Sequence, residues 1–295
     1  MVFVASRELL VEADSFWDWG HLSFSQIRKA SRLKAVCDLL DISIPENTIC
    51  KPCEVIKQTR VHFIEKEGLE SKPLELIHTD LCVPTRKNSL CGEEYFILFI
   101  DYFSIMCWIG LLKHKDEEFE KFKAFDALVK NELDRKIKCL RSDQGGEFIS
   151  DEFFDFCEQH GIKSQFSIAR TPQQNGVVER MNRTVQQMAR AMLDESWTLA
   201  TFWGEAAFVG MTILNKTNVQ VNSDQIPYEL SYGKPPTVKH FRVFGSKCFI
   251  KRTDEKLGKF EPGADKRILL VFSSISKGYK FYNKRVKKML NALML

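Results

Sequence analysis

The sequence has no apolar run that is long enough to cross a membrane. The stretch YFILFI at residues 95–100 ends at Asp101, whereas a membrane-spanning helix needs about 20 apolar residues. The first residues, MVFVASRELLVEAD, contain no basic region followed by a long apolar stretch, so no secretion signal is expected. These two absences predict a chain that is neither inserted into a membrane nor secreted.

The sequence also lacks the cysteine pattern of a disulfide-stabilised protein. Its nine cysteines are an odd number, and most stand singly in apolar surroundings such as IMCWIG and FFDFCEQ. This usage is typical of buried free thiols in a reducing compartment. The chain has no internal repeat or low-complexity segment, and its 295 residues, 44% hydrophobic and 28% charged, indicate a globular protein of more than one domain.

Charge is unevenly distributed along the chain. Residues 234–295 contain 16 Lys and Arg against four acids, a balance of +12, while the other 233 residues carry −8. A basic segment behind an acidic body indicates a polyanionic partner. A solvated basic surface without a partner is an equally good interpretation of this segment alone.

From about residue 70 the pattern predicts alternating strands and helices. The first three strands follow one another closely and are therefore expected to be antiparallel. The order predicts a mixed five-stranded sheet with helices on both faces, and a β-rich segment follows YGKPP. The predicted strands cover 74–81, 94–104, 105–112, 137–143 and 162–168, and the predicted helices cover 116–133, 150–161, 172–195 and 198–216.

Three carboxylates occupy the ends of these elements. Asp80 comes late in the first strand and Asp143 ends the fourth, in RSDQGGEF. Neighbouring strands would bring the two together, and a divalent cation would relieve their repulsion. Glu179, separated from Asp143 by 35 residues, is expected two turns into a helix that begins near Pro172. Together they could hold two Mg²⁺ or Mn²⁺ ions beside a scissile phosphate, although each alone reads as a turn former or a solvated side chain.

The segments IHTDL, LRSDQGGEF and ARTPQQNGVVERMNRTVQQMARAML resemble the catalytic core of copia-type retrotransposon integrases, which are relatives of retroviral integrases and DDE transposases. The resemblance extends through IPYELSYGKPPTVKHFRVFGSKCFI and beyond. It implies an RNase H-like fold, with Asp80, Asp143 and Glu179 as the metal-binding catalytic triad. It also implies three segments: a zinc-binding-like segment at 1–66, an integrase catalytic core at 70–233 and a basic β-rich segment at 234–295.

The helix that carries Glu179 is rich in basic and amide side chains. These residues are candidates for DNA contact, or else form a solvated face with an i, i+4 ion pair. They are Gln173, Asn175, Arg180, Arg183 and Arg190.

The N-terminal segment resembles the family's small zinc module only in part. His21, Cys50 and Cys53 match three of its four Zn²⁺ ligands, but Phe16 stands where the first histidine is expected. A closed structural zinc site needs four ligands. His62 or Cys37 could supply the fourth, but nothing in the spacing requires either, so we expect weak zinc binding or none.

The resemblance implies a polynucleotidyl transferase (a nucleotidyltransferase and endonuclease) that processes DNA 3′ ends and joins them to target DNA in the nucleus, after passing through the cytoplasm. DNA is the expected partner, with a homo-oligomer in the active state. One alternative is a nucleic-acid-binding remnant without catalysis; a nuclease of the RNase H type is disfavoured because no fourth carboxylate stands at a matching position. No protease segment precedes the core and no reverse-transcriptase segment follows it, so we expect a truncated polyprotein.

Overall fold

The computed structural model describes residues 24–35, 72–82, 86–143, 146–166, 176–220, 224–252, 260, 262–272 and 278–293. The predicted zinc residues His21, Cys50 and Cys53, and the predicted DNA contacts Gln173 and Asn175, lie outside these ranges. No helix among the described residues is long and apolar enough to span a membrane. The six cysteines that fall within the described ranges are free thiols.

The described elements follow the predicted order. The helices are α1 (Phe24–Arg32), α2 (Glu118–Leu133), α3 (Asp151–His160), α4 (Gly176–Glu195), α5 (Trp203–Thr217) and α6 (Pro227–Tyr232). The strands are β1 (Ile77–Cys82), β2 (Tyr95–Asp101), β3 (Cys107–Leu112), β4 (Cys139–Ser142), β5 (Lys163–Phe166), β6 (Lys247–Lys251), β7 (Ala264–Phe272), β8 (Gly278–Asn283) and β9 (Lys288–Leu293).

The first five strands form one mixed sheet in the order β3-β2-β1-β4-β5. The β1–β2 and β2–β3 pairs are antiparallel, whereas β1–β4 and β4–β5 are parallel. The predicted RNase H-like class, a five-stranded mixed sheet flanked by helices, is confirmed. Apolar residues on β2 alternate between the two faces, because successive side chains of a strand point to opposite sides: Phe96, Leu98 and Ile100 enter one buried cluster, and Ile97 and Phe99 enter the other.

The last four strands form an antiparallel sheet in the order β6-β7-β8-β9, which confirms the β-rich C-terminal segment. This sheet shares a buried apolar cluster with α4 and α5, the helices that pack on the first sheet. Ile268 and Tyr282 lie in the same cluster as Met188 of α4 and Phe202, and the rings of Phe202 and Tyr282 meet edge to face at 4.9 Å between centroids. The domain boundary between residues 233 and 234 stays a prediction, but apolar packing is continuous across it.

Lys216, near the end of α5, joins the two sheets through an aromatic cage. Its ammonium lies 5.7 Å from the ring centroids of Tyr228 and Phe241 and 5.8 Å from that of Phe272. Nζ also lies 3.2 Å from Nε2 of His240. Burial lowers the pKa of Lys216 to about 8. Burial, reinforced by the positive charges of Lys216 and Arg242, lowers the pKa of His240 to about 4, so His240 is neutral at pH 7.

The neutral His240 should make stability depend on pH. Between about pH 4 and its ordinary value of 6.5, the unfolded chain binds a proton at His240 that the folded chain does not, so His240 makes stability rise with pH across this window. His240→Gln retains an acceptor for Lys216 and does not titrate. Urea unfolding at intervals from pH 4 to 7 should therefore show a steeper rise for the native chain than for the variant. Parallel stability curves for the two proteins would contradict this assignment.

Candidate active site

The register of the central strands brings Asp80 and Asp143 to the same edge of the sheet. In the parallel β1–β4 pair, Ile77 lies opposite Leu140 and His78 opposite Arg141. The same offset places Asp80 opposite Asp143, which follows the last residue of β4. Asp80 is half-buried and Asp143 is exposed. The structure thus brings together the two strand-end carboxylates that the sequence predicted to be neighbours.

Helix α4 packs against β1 and adds polar contacts to this edge. Asn182 donates from Nδ2 to Oδ2 of Asp80 at 2.7 Å. Gln186, one helical turn later, donates from Nε2 to Sγ of Cys82 at 2.8 Å. Residues four apart on a helix share a face, as do residues two apart on a strand, so these two bonds align α4 along β1.

Glu179 lies three residues before Asn182 and therefore projects from the same side of α4. It is exposed and lies in the first turn of the helix as described from Gly176. The sequence had placed it two turns inside a helix from Pro172, so its position relative to the described helix start differs from that expectation. Residues 167–175 lie outside the described ranges.

The three carboxylates share one electrostatic environment. Burial, the largest cause, and the negative charge of Asp143 together bring the pKa of Asp80 to about 6. The hydrogen bond from Asn182 acts in the opposite direction, and the charge of Glu179 adds to the rise. Because like charges that repel are stabilised by a cation between them, this edge favours binding of a positive ion at neutral pH.

The donor chemistry at this edge suits a hard divalent cation. Mg²⁺ prefers oxygen ligands and commonly uses one or two carboxylates together with substrate phosphate, which is what Asp80, Asp143 and Glu179 could supply. Within the described ranges, however, no three His, Cys, Asp or Glu side chains are already arranged as the ligands of one ion. Asp80, Asp143 and Glu179 fit a divalent metal by their oxygen chemistry and by the repulsion of Asp80 by the other two.

The three predicted arginine contacts are exposed on α4. Arg190 donates from Nη2 to Oε1 of Gln186 at 3.2 Å, while Arg180 and Arg183 face solvent. Asn182 and Gln186 are not among the site residues predicted from the sequence. Their spacing from Glu179, three and seven residues, is the signal that places them on the helix face of the predicted catalytic glutamate.

The pKa of Asp80 should respond to its neighbours in opposite directions. Asp143→Asn removes the negative charge that has the larger effect on the pKa of Asp80, so this pKa should fall toward 3.8. Asn182→Ala removes the hydrogen bond that stabilises the carboxylate, so the pKa should rise above about 6. Carboxyl ¹³C shifts of Asp80 recorded against pH measure both changes. Asp134→Asn, at the end of α2, serves as a control that should leave the titration unchanged; a similar pKa in the native chain and Asp143→Asn would refute the proximity of the two aspartates.

Comparison with known proteins gives two family matches. The integrase core domain family matches residues 70–172, and the retroviral polymerase SH3-like domain family matches residues 246–292.

Several retrotransposon polyproteins are similar to this chain. The Retrovirus-related Pol polyprotein from transposon TNT 1-94 of Nicotiana tabacum is 35% identical over 85% of this chain. That from transposon RE2 of Arabidopsis thaliana is 32% identical over 68%. This chain spans only 19% and 14% of their respective lengths.

Among solved structures, the HTLV-2 integrase catalytic core domain in complex with magnesium is 23% identical, covering 56% of this chain and 99% of that one, with a TM-score of 0.43. The simian T-cell lymphotropic virus intasome in complex with PP2A regulatory subunit B56 gamma is 17% identical, covering 83% and 87%, with a TM-score of 0.47. By these matches, residues 70–172 belong to the integrase core domain family and residues 246–292 to the retroviral polymerase SH3-like domain family, in a chain that is similar to retrotransposon Pol polyproteins.

Proposed function

We propose that this chain is a metal-dependent polynucleotidyl transferase that processes DNA 3′ ends and joins them to target DNA. The observation that carries the proposal is the effect of Asp143 and Glu179 on Asp80, because their charges raise its pKa from two separate elements. Asp80, Asp143 and Glu179 would hold Mg²⁺ or Mn²⁺. When bound, two such ions lower the pKa of an attacking water or 3′-hydroxyl and stabilise the leaving oxygen.

The side chains around the triad would position it and its substrate. Asn182 fixes one oxygen of Asp80, so the other oxygen keeps a defined direction. Arg180 and Arg183 are exposed on the same helix as Glu179 and could contact the phosphates of a DNA end. Because Asp80 binds a proton more readily than an ordinary aspartate, metal affinity should fall as the pH drops through about 6.

The proposal includes the partners and the cellular site. DNA ends and target DNA are the substrates, the active form is a homo-oligomer, and the chain works in the nucleus. Zinc at His21, Cys50 and Cys53 stays outside the proposal, because Phe16 stands at the expected fourth position.

A second candidate function is nucleic-acid binding without catalysis. It is favoured by the positive balance of +12 in residues 234–295, because phosphate neutralisation by Lys and Arg needs no catalytic triad. The two functions differ in metal dependence: strand transfer requires the divalent ion, whereas phosphate binding by lysines does not.

Removing any one carboxylate should abolish transfer. Asp80→Asn, Asp143→Asn and Glu179→Gln each replace a negative oxygen by a neutral amide of the same shape, so metal-dependent 3′-end processing and strand transfer should drop to background. The assay uses oligonucleotides carrying the element's own ends with Mg²⁺ or Mn²⁺. Asp134→Asn is the matched control and should retain activity. Full activity of Asp143→Asn would show that the triad is wrongly assigned, and an inactive native chain that still binds DNA would favour the second candidate.

We also propose that residues 234–295 supply most of the sequence-independent affinity for DNA. Deleting them is a poor test, because Ile268 and Tyr282 are buried with Met188 and Phe202 and deletion would expose that apolar surface. The turn between β8 and β9 offers a cleaner one, since Lys284, Lys287 and Lys288 are exposed there.

Replacing Lys284, Lys287 and Lys288 together with Gln should weaken duplex binding and flatten its salt dependence. Each lost phosphate contact should lower the slope of log affinity against log salt by about 0.9. The loss should be similar for unrelated sequences, because phosphate contacts carry no base information. Lys113, Lys136 and Lys163, exposed in the acidic part of the chain, give a charge-matched control triple. Equal losses in the two triples would contradict the assignment of affinity to the C-terminal sheet.

A further inference from the structure

The outer strand of the C-terminal sheet carries a half-exposed phenylalanine between lysines. Along β6, Cys248 and Ile250 are buried, whereas Lys247, Phe249 and Lys251 are exposed. Phe249 is 51% exposed, although a phenylalanine in a strand usually packs against the core. Residues two apart on a strand are roughly 6.5–7 Å apart and share a face, so both lysines flank the ring on the same side.

A third lysine lies directly across from the ring. In the antiparallel β6–β7 pair, Phe249 is the register partner of Lys266, which is also exposed. Directly opposed residues project to the same face with Cβ atoms about 5 Å apart. The position of Phe249 in the sheet is thus flanked on three sides by lysines. We call Lys247, Phe249, Lys251 and Lys266 the Phe249 platform.

The platform continues a face that is otherwise used for packing on the catalytic core. Lys247 pairs with Ile268, and Ile268 pairs in turn with Tyr282 of β8. Ile268 and Tyr282 are buried in the apolar cluster shared with α4 and α5. Toward Phe249 the same face is exposed, so this end of the sheet extends past the surface that the core covers.

The combination of one aromatic ring and three lysines limits the kinds of ligand that the platform can bind. A protein partner with an apolar surface would have to desolvate three ammonium groups around a single ring, which is costly. A DNA duplex would satisfy the lysines but leaves no base face for the ring, because its bases are stacked on each other. An unpaired strand satisfies both, since bases stack on aromatic side chains while basic groups follow the backbone.

We propose that the Phe249 platform binds single-stranded DNA, with one base stacked on Phe249 and the adjoining phosphates on Lys247, Lys251 and Lys266. The choice of DNA over RNA rests on the proposed function; the single-strand preference rests on the platform. Being on the face that also packs on the catalytic core, the platform would hold an unpaired stretch of a substrate on the core's side of the sheet. The role differs from that of the β8–β9 turn, whose exposed basic residues surround no exposed aromatic ring.

The test compares unpaired and paired DNA on the full chain without divalent metal. Fluorescence anisotropy measures binding of an oligothymidylate and of a hairpin duplex with the same number of nucleotides. Phe249→Leu should weaken oligothymidylate binding about five- to 140-fold, the range of about 1–3 kcal/mol for one stacked base, and should change duplex binding less than twofold. Phe249→Tyr keeps the ring and should bind both within twofold of the native chain.

A matched substitution and a charge series complete the experiment. Phe154→Leu, at a 39% exposed phenylalanine of α3 flanked by Asp151 and Asp155, should leave both affinities unchanged. Lys247→Gln, Lys251→Gln and Lys266→Gln should each lower the salt slope for oligothymidylate by about 0.7.

Several results would overturn the proposal. They are an unchanged oligothymidylate affinity in Phe249→Leu, an equal loss in Phe249→Leu and Phe249→Tyr, and an equal loss on the duplex. Tighter binding of the matching oligoribonucleotide would overturn the choice of DNA. Because the assay contains no metal, failure of catalysis is separate: an Asp80→Asn chain that transfers no strands should still bind oligothymidylate through Phe249.

Discussion

The apolar layer formed by α4 and α5 is the constraint on which the rest of the structure depends. One side of the layer covers the first sheet through Phe96, Leu98 and Ile100, and the other meets the C-terminal sheet through Ile268 and Tyr282. Because protein interiors are close-packed, α4 cannot shift along β1 without disturbing both contacts. Apolar packing therefore helps to set the position of Glu179 relative to Asp80, together with the bond from Asn182 to Asp80.

Repulsion between the carboxylates at the ends of the central strands lowers the stability that this apolar packing provides. Asp80 and Asp143 lie at the ends of neighbouring central strands, and the pKa of Asp80 is raised by burial and by the charges of Asp143 and Glu179. One amide, from Asn182, partly compensates. Such a cluster costs stability in the absence of a cation and gains it when one binds, because a ligand that binds only the folded state stabilises that state. The fold thus holds the carboxylates in position, and a bound metal ion would offset their mutual repulsion.

Much of this could be predicted from the sequence, since the strand and helix order leaves few topologies once crossovers are right-handed and connections short. Asp80 and Asp143 were predictable for the same reason, as both end strands that must be neighbours. Asn182 was missed, because an asparagine in an amphipathic helix reads as a solvated residue until the partner strand is known. The aromatic cage around Lys216 could not be predicted from the sequence either. Its rings come from Tyr228, Phe241 and Phe272, and no local periodicity connects these residues. In KCFIK, alternation alone does not say which face is buried, and the choice that exposes Phe249 is fixed by tertiary packing.

In the basic C-terminal sheet, Asp265 neutralises and positions two of the arginines. Arg252 and Arg285 donate to Oδ1 of Asp265 at 3.1 and 3.0 Å, and Asn283 donates to Oδ2 at 2.9 Å. The hydrogen bonds from Arg285 are the main reason that the pKa of Asp265 lies well below its usual range. Charge-assisted hydrogen bonds of this kind are stronger and more directional than neutral ones, so one carboxylate fixes two guanidinium groups at the ends of β6 and β8. The lysines are treated differently: Lys247, Lys251 and Lys266 stay exposed on the opposite face of the strands. Arg252 and Arg285 thus use their planar guanidinium groups to bond Asp265 within the sheet. The exposed lysines carry flexible point charges that can follow a phosphate backbone.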